Sequence, residues 1–308
     1  LAAKQLFQLR TIPALMLGAM VGGTSPAVAL PLIKSLRLGD TARAIVVLET
    51  AITDVLAIVV TEALLELILA ERAHPLSPLV ALLREFFGAT LFGLLAGYGW
   101  AHVQRRVPSW GGSMVATGAA AFLFASLAEA IHLPSPIAAL AFGIALGNLR
   151  LPSRDTLVTE FEPVVPAEER HILANLAFIF KAYFFVYLGL SLRLSGWEPF
   201  VFGGLVTLLI FLLRPFVIRW VIPAHMLPRS QASIVAMLGA KGLASAILAS
   251  LPVKAGLPEG ELLRSVVLGV VLLSITLTSL LVLGRRSRLV VRGYDRMLAP
   301  FAPAESPP

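Results

Sequence analysis

Nine stretches of this chain are apolar over lengths that fit poorly in water. They lie near residues 12–33, 44–70, 78–103, 111–131, 135–149, 172–192, 199–221, 230–252 and 262–284. A helix crosses a bilayer in about 20 residues. The fifth stretch is short for this, and the second is long enough to bend or to run past the membrane near Glu66. Leu, Ala and Ile runs dominate, and the alternation that a membrane β-barrel needs is absent. The pattern predicts an all-α polytopic membrane protein with nine transmembrane helices. Composition agrees. Of 308 residues, 57% are hydrophobic and 14% charged, against about 45–50% and 25% in soluble domains. That excludes an ordinary soluble globule and a disordered chain. With no cysteine, a disulfide framework, a thiolate metal site and a cysteine nucleophile are excluded too.

A net charge of +7 would suggest nucleic acid to a soluble protein. In a membrane protein the question is which loops carry it. With the C-terminus inside, alternate loops gather fifteen basic residues on that side, among them Lys34, Arg43, Arg105, Arg106, Arg219 and Arg229, against six on the other. The positive-inside rule then predicts an outer N-terminus and a cytoplasmic C-terminus in the plasma (inner) membrane, with lipid around the protein and no nucleic-acid partner. Lys4, Arg10, the apolar run and Ala27-Val28-Ala29 have the outline of a secretory signal, but the run continues past the supposed cleavage site. The transmembrane domain is expected over 1–297 and a Pro-rich, disordered tail over 298–308. The longest polar stretch, 150–171, reads as a loop.

Several polar residues fall where a bilayer tolerates few. Gly22-Gly23-Thr24-Ser25-Pro26 lies near the middle of the first span. Proline removes an N–H and clashes with the preceding turn, and glycine weakens the helix further. A plain proline kink is the simpler reading of Pro26 taken alone. The eighth span carries Gly239-Ala240-Lys241-Gly242, a second candidate break. Two interrupted helices, one early and one late, point to a transporter site. The second span carries Glu49, Thr50, Thr53 and Asp54, with Glu49/Thr53 and Thr50/Asp54 as i,i+4 pairs on shared faces. Asp54 is near the midpoint, where a carboxylate costs roughly 2.5–3.5 kcal/mol unless it is partnered. It can be neutralised by a proton or by a cation, not by both at once. Competition at one site plus alternating exposure gives antiport. Arg84, Lys181, Arg214 and Lys241 are the bases inside spans. Glu129 is near a span end, where it can reach water. His132 reads as an interfacial histidine, because one imidazole without partners makes no metal site.

These residues resemble the monovalent cation:proton antiporters, the sodium/proton exchanger superfamily. Thr24-Ser25-Pro26 is similar to that family's Thr-Asp-Pro at an unwound crossover. Glu49-Thr50-x-x-Thr53-Asp54 is similar to its Glu-Ser-x-x-Asn-Asp. Ala128-Glu129-Ala130-Ile131-His132-Leu133, Phe184-Phe185-Val186-Tyr187-Leu188-Gly189 and Gly239-Ala240-Lys241-Gly242 follow in the family's order. The resemblance implies a fold of thirteen spans in two inverted repeats, of which these nine would be the last, with about four upstream of Leu1. It implies a transporter rather than an enzyme, with no cofactor, acting as a homodimer.

Residue by residue, the resemblance makes Asp54 the carboxylate that binds the cation or the proton. Thr24 would add a backbone carbonyl, and Ser25 and Thr50 hydroxyls, with Thr53 beside them. Glu49 would pair with Arg214, while Lys181, Lys241 and Glu129 would have gating or accessory roles. Ser25 stands where the family has an acid, Thr53 where it has Asn or Asp, and Lys241 where it has Arg. One carboxylate in the pair implies electroneutral exchange of sodium, lithium or potassium, although Lys181 is similar to the lysine of the electrogenic branch. Two other transport readings compete: sodium-coupled symport of an organic anion and a potassium channel-like relative. An intramembrane hydrolase finds no His-Glu-x-x-His and no Gly-x-Ser-x-Gly in the sequence.

Overall fold

The structure, a computed structural model, describes residues 11–36, 38–69, 77–106, 114–152, 161–163, 167–191, 197–284, 293, 294 and 296–301. Lys4, Arg10, Arg37, Arg72, Arg154, Arg193, the arginines from 285 to 292 and tail residues 302–308, all used in the topology and domain expectations, lie outside those residues. The chain divides into two units, residues 1–69 with 184–308 and residues 70–183.

The first unit begins with two half-helices, α1 (Thr11–Met20) and α2 (Pro26–Leu36). The break between them follows from residue chemistry. The N–H of Gly22 turns back to Ala19 O at 3.0 Å, which tightens the end of α1. Pro26 then opens α2, at the position where a missing N–H costs nothing. Next comes α3 (Asp40–Leu69), one helix of 30 residues that runs unbroken past Glu66. After Tyr183 the unit continues with α8 (Glu198–Val221), a second pair of half-helices, α9 (Arg229–Met237) and α10 (Leu243–Leu248), the short α11 (Leu251–Lys254) and α12 (Gly260–Leu283).

Two apolar clusters hold this unit. Met16, Leu17 and Met20 of α1 meet Leu248 of α10 and Val266, Val267 and Val270 of α12 in one. Ala29 and Ile33 of α2 meet Ala232, Val235 and Ala236 of α9 in the other. Each broken helix thus gives one half to each cluster. Helices α8 and α12 approach until a Cβ on Gly203 would lie 3.1 Å from Gly269 C, a backbone-to-backbone fit that small residues permit in membranes.

The second unit holds α4 (Ser77–Arg106), α5 (Met114–Ala130), α6 (Ser135–Asn148) and the first part of α7 (Ala167–Ser191). Gly93 and Gly97, one turn apart on α4, lie against α6. A Cβ on Gly97 would be 2.7 Å from Ala145 Cβ, and one on Gly93 would run into Ala138 O. The α5–α6 break ends in a Schellman turn, with Leu133 N bonding Ala128 O at 2.9 Å and His132 N bonding Glu129 O at 3.0 Å. His132, read from sequence as an interfacial group, holds the left-handed position of that turn at φ 59°.

Two details correct the expectations. The 150–171 loop contains an antiparallel pair, β1 (Arg150–Pro152) with β2 (Phe161–Pro163), so the described fold is helical except for this ladder. The tail expected to be disordered from 298 contains Leu298 and Phe301, both buried to 1% exposure or less. Their spacing lets one face of a single turn reach the α2–α9 cluster.

Among the described residues, four helices are long and apolar enough to cross a membrane: Asp40–Leu69, Leu83–Gln104, Glu198–Val221 and Gly260–Leu283. Their outward faces are apolar as well. Leu48, Ile52 and Leu56 on α3 and Trp220 on α8, at 93%, stand exposed. A soluble protein leaves no such continuous apolar exterior to water, so the chain is a helical, polytopic integral membrane protein.

Candidate functional site

The two helix breaks meet through a backbone hydrogen bond. The N–H of Ser25 donates to Ala240 O at 2.8 Å. The N–H of Lys241 donates to Ser274 Oγ on α12 at 2.9 Å. Unwound backbone at membrane depth is tolerated only where protein or a cavity receives its polar groups, and here one bond joins the two breaks while Ser274 of α12 supplies a further partner. Gly242 is forced by the fit, because a Cβ there would collide with the Ser25 side chain. A Cβ on Gly239 would be 3.0 Å from Phe211 and 3.3 Å from Arg214 Cδ, so α8 closes over the second break.

Glu49 is fully engaged. Arg214 Nη1 lies 2.8 Å from Glu49 Oε1, and Arg214 Nη2 donates to Oε2 at 3.1 Å. The guanidinium also donates to Val235 O at 3.3 Å through both Nε and Nη2. Thr24 Oγ1 donates to Glu49 Oε1 at 3.1 Å and accepts from Arg214 Nη1 at 3.4 Å. One two-pronged pair therefore ties α3, α8, the first break and the end of α9 together.

Asp54 is placed differently. Its carboxylate rests against Gly23, where a Cβ would overlap Oδ1. No hydrogen bond reaches it from the described residues. The Lys241 ammonium donates to Gly22 O at 3.5 Å, so the lysine and the aspartate flank the same two-glycine turn. Ser25 is 3% exposed and its Oγ has no partner among the described residues. A buried hydroxyl left unbonded is costly, and this one stands at the break beside Asp54. The Thr50 hydroxyl donates to Val47 O at 2.9 Å, which leaves its lone pairs available. Thr53 Oγ1 donates to Glu49 O at 2.8 Å and accepts from Thr24 N at 3.2 Å, so it pins α3 to the break. Two acids and two bases balance the charge of this region.

A cavity of about 580 Å³ opens beside the site between α1 and α8. Leu209, Leu213 and Gly18 are among its apolar walls, and Arg214, Lys241 and Gly22 also line it. Two positive charges on its lining make it a poor route for a cation.

Of the residues singled out by sequence, Thr24, Ser25, Glu49, Thr50, Thr53, Asp54, Arg214 and Lys241 gather at the breaks. Glu129, at the end of α5, and Lys181, half-buried on α7, belong to the second unit, as does Arg84, exposed on α4. Thr24 joins the ion pair through its hydroxyl, a role the sequence reading did not give it. Ser274 and the carbonyls of Val235 and Ala240 were missed. For Ser274 a signal existed, since Ser274, Thr276, Thr278 and Ser279 interrupt an otherwise apolar span.

Residues 1–283 match the family model described as sodium/hydrogen exchanger, transmembrane. The chain is also similar to the Na(+)/H(+) antiporter NhaP of Pseudomonas aeruginosa, with 28% identity over 143 residues. The matched stretch is 46% of this chain and 34% of that relative.

Proposed function

Because the chain belongs to the sodium/hydrogen exchanger family, we propose that it exchanges a monovalent cation for protons across the membrane, with Asp54 as the binding carboxylate. The observation that carries this reading is the contrast between two acids on one helix. Glu49 is held by Arg214 and Thr24. Among the described residues, Asp54 lies against a helix break without a hydrogen-bond donor, at the same break as the unpartnered Ser25 hydroxyl. A partly desolvated carboxylate of that kind holds a proton or a small cation in turn. Hard oxygen ligands suit sodium or lithium, with potassium as the larger alternative. Ser25 and Thr50 are the hydroxyl ligands in this reading, Thr24 adds its backbone carbonyl, and Thr53 fixes the turn they sit on.

The same reading carries nine spans with the C-terminus in the cytoplasm, as part of a thirteen-helix inverted repeat in the plasma membrane. It also carries a homodimer, which cross-linking of the intact protein in native membranes checks. Lys241, bound to the Gly22 carbonyl, and Lys181 and Glu129 of the second unit take accessory roles. The relative's printed activity, sodium/proton antiport, favours exchange over symport or channel conduction.

Competition tests the proposal. In proteoliposomes of the complete protein, raising the proton concentration on the side of cation uptake should raise the apparent KM for sodium and leave the maximal rate unchanged. A proton effect on the maximal rate alone would contradict a shared site.

A further inference from the structure

A second device lies at the other cluster, built from the residues after α12. Leu298 N bonds Tyr294 O at 2.9 Å and Phe301 N bonds Leu298 O at 3.1 Å, which closes the segment into a turn. Leu298 and Phe301 are sunk into the cluster that joins Ala29 and Ile33 of α2 with Ala232, Val235 and Ala236 of α9. Tyr294 packs on the same cluster. Arg229, the first residue of α9, fixes the segment from the side. Its Nη2 donates to Ala299 O at 2.7 Å and to Phe301 O at 3.0 Å. The grip uses carbonyls and two apolar side chains but no opposing charge, so it can release without stranding an ion.

The halves it joins are informative. Helix α2 leads out of the first break, just after Ser25, and α9 leads into the second, just before Ala240. A cycle that exposes the site alternately to each side must shift such halves against their surroundings. Any shift that separates α2 from α9 must first pull Leu298 and Phe301 out of the cluster.

We propose that Tyr294 and residues 296–301 form a strap that ties α2 to α9 and slows the transport cycle until it lets go. The rate effect rests on the antiport reading, whereas the strap itself does not.

These 308 residues hold no cysteine, so once any cysteine elsewhere in the complete protein is replaced by serine, an introduced one reports its own surroundings. Ala236→Cys in the complete protein, in everted vesicles, is labelled with a membrane-impermeant maleimide. Adding Arg229→Gln and Phe301→Ala should raise the labelling rate about fivefold or more, the lower edge of usual coupling between sites. The initial rate of sodium-driven proton movement should rise by a similar factor. A cross-link guards against mere misfolding. In Arg229→Cys with Phe301→Cys, a short bis-maleimide should return the rate to that of the parent. Unchanged labelling overturns the strap, whatever transport does. Increased labelling with equal rates before and after cross-linking overturns its control of the cycle. A parent protein that moves no protons for any monovalent cation overturns the antiport reading alone, and labelling then decides the strap.

Discussion

The N–H of Ser25 and the carbonyl of Ala240 meet at 2.8 Å, so two helix breaks more than 200 residues apart form one structure. Each half-helix end would otherwise leave bare backbone in a medium that offers no hydrogen bonds. The same contact fixes how closely the breaks approach. Gly242 faces the Ser25 side chain without room for a methyl group.

Gly242→Ala should therefore destabilise the protein by about 1–3 kcal/mol, the usual cost of overpacking. Thermal unfolding in detergent reads this as a lowered Tm. Ser25→Gly, which removes the colliding atoms, should recover much of the loss. A Gly242→Ala protein as stable as its parent would show that the breaks are not in contact.

Glu49 and Arg214 should behave as one unit. Removing one member of a buried pair strands the other, at about 3–5 kcal/mol. Glu49→Gln and Arg214→Gln should each lower stability sharply, and the double variant should lose far less than the sum. Simple additivity would sink the pairing.

Much of this was legible in the residues. Gly22-Gly23 with Pro26, and Gly239 with Gly242, announce breaks because their chemistry opposes a helix wherever it occurs. Asp54 stands out because apolar neighbours surround it. Arg214 is conspicuous for the same reason, but nothing local says that its partner is Glu49, 165 positions earlier, and only resemblance to a family supplied that partner. The pairings of Lys241 N with Ser274 and of Ser25 N with Ala240 were not legible at all, since they depend on how the two breaks cross. The Pro-rich composition after 297 concealed Leu298 and Phe301, whose i,i+3 spacing was the available signal. His132 was read by its ring, although its backbone is what shapes the α5–α6 turn.

Exchange should be electroneutral. Thr53 holds a backbone carbonyl and a backbone N–H, and Glu49 is held by Arg214, which leaves Asp54 as the titrating carboxylate of this motif. One proton then moves for each monovalent cation. Moving one net charge would be worth about 2.3 kcal/mol per 100 mV. Under a potassium–valinomycin clamp, the sodium gradient that just balances a fixed pH gradient should ignore voltage. A shift with voltage would make a lysine, Lys241 or Lys181, a second proton carrier.

The central claim is that Asp54 binds both ions, and Asp54→Asn tests it most directly. Asparagine nearly keeps the shape that fits against Gly23 but can take up neither a proton nor a cation's charge. The measurement is the sodium-induced pH change in proteoliposomes of the complete protein, with insertion and Tm checked alongside. The account predicts that exchange falls to the level of empty liposomes while the protein inserts and keeps a Tm near that of the parent. Exchange by Asp54→Asn at a rate close to the parent's would contradict it.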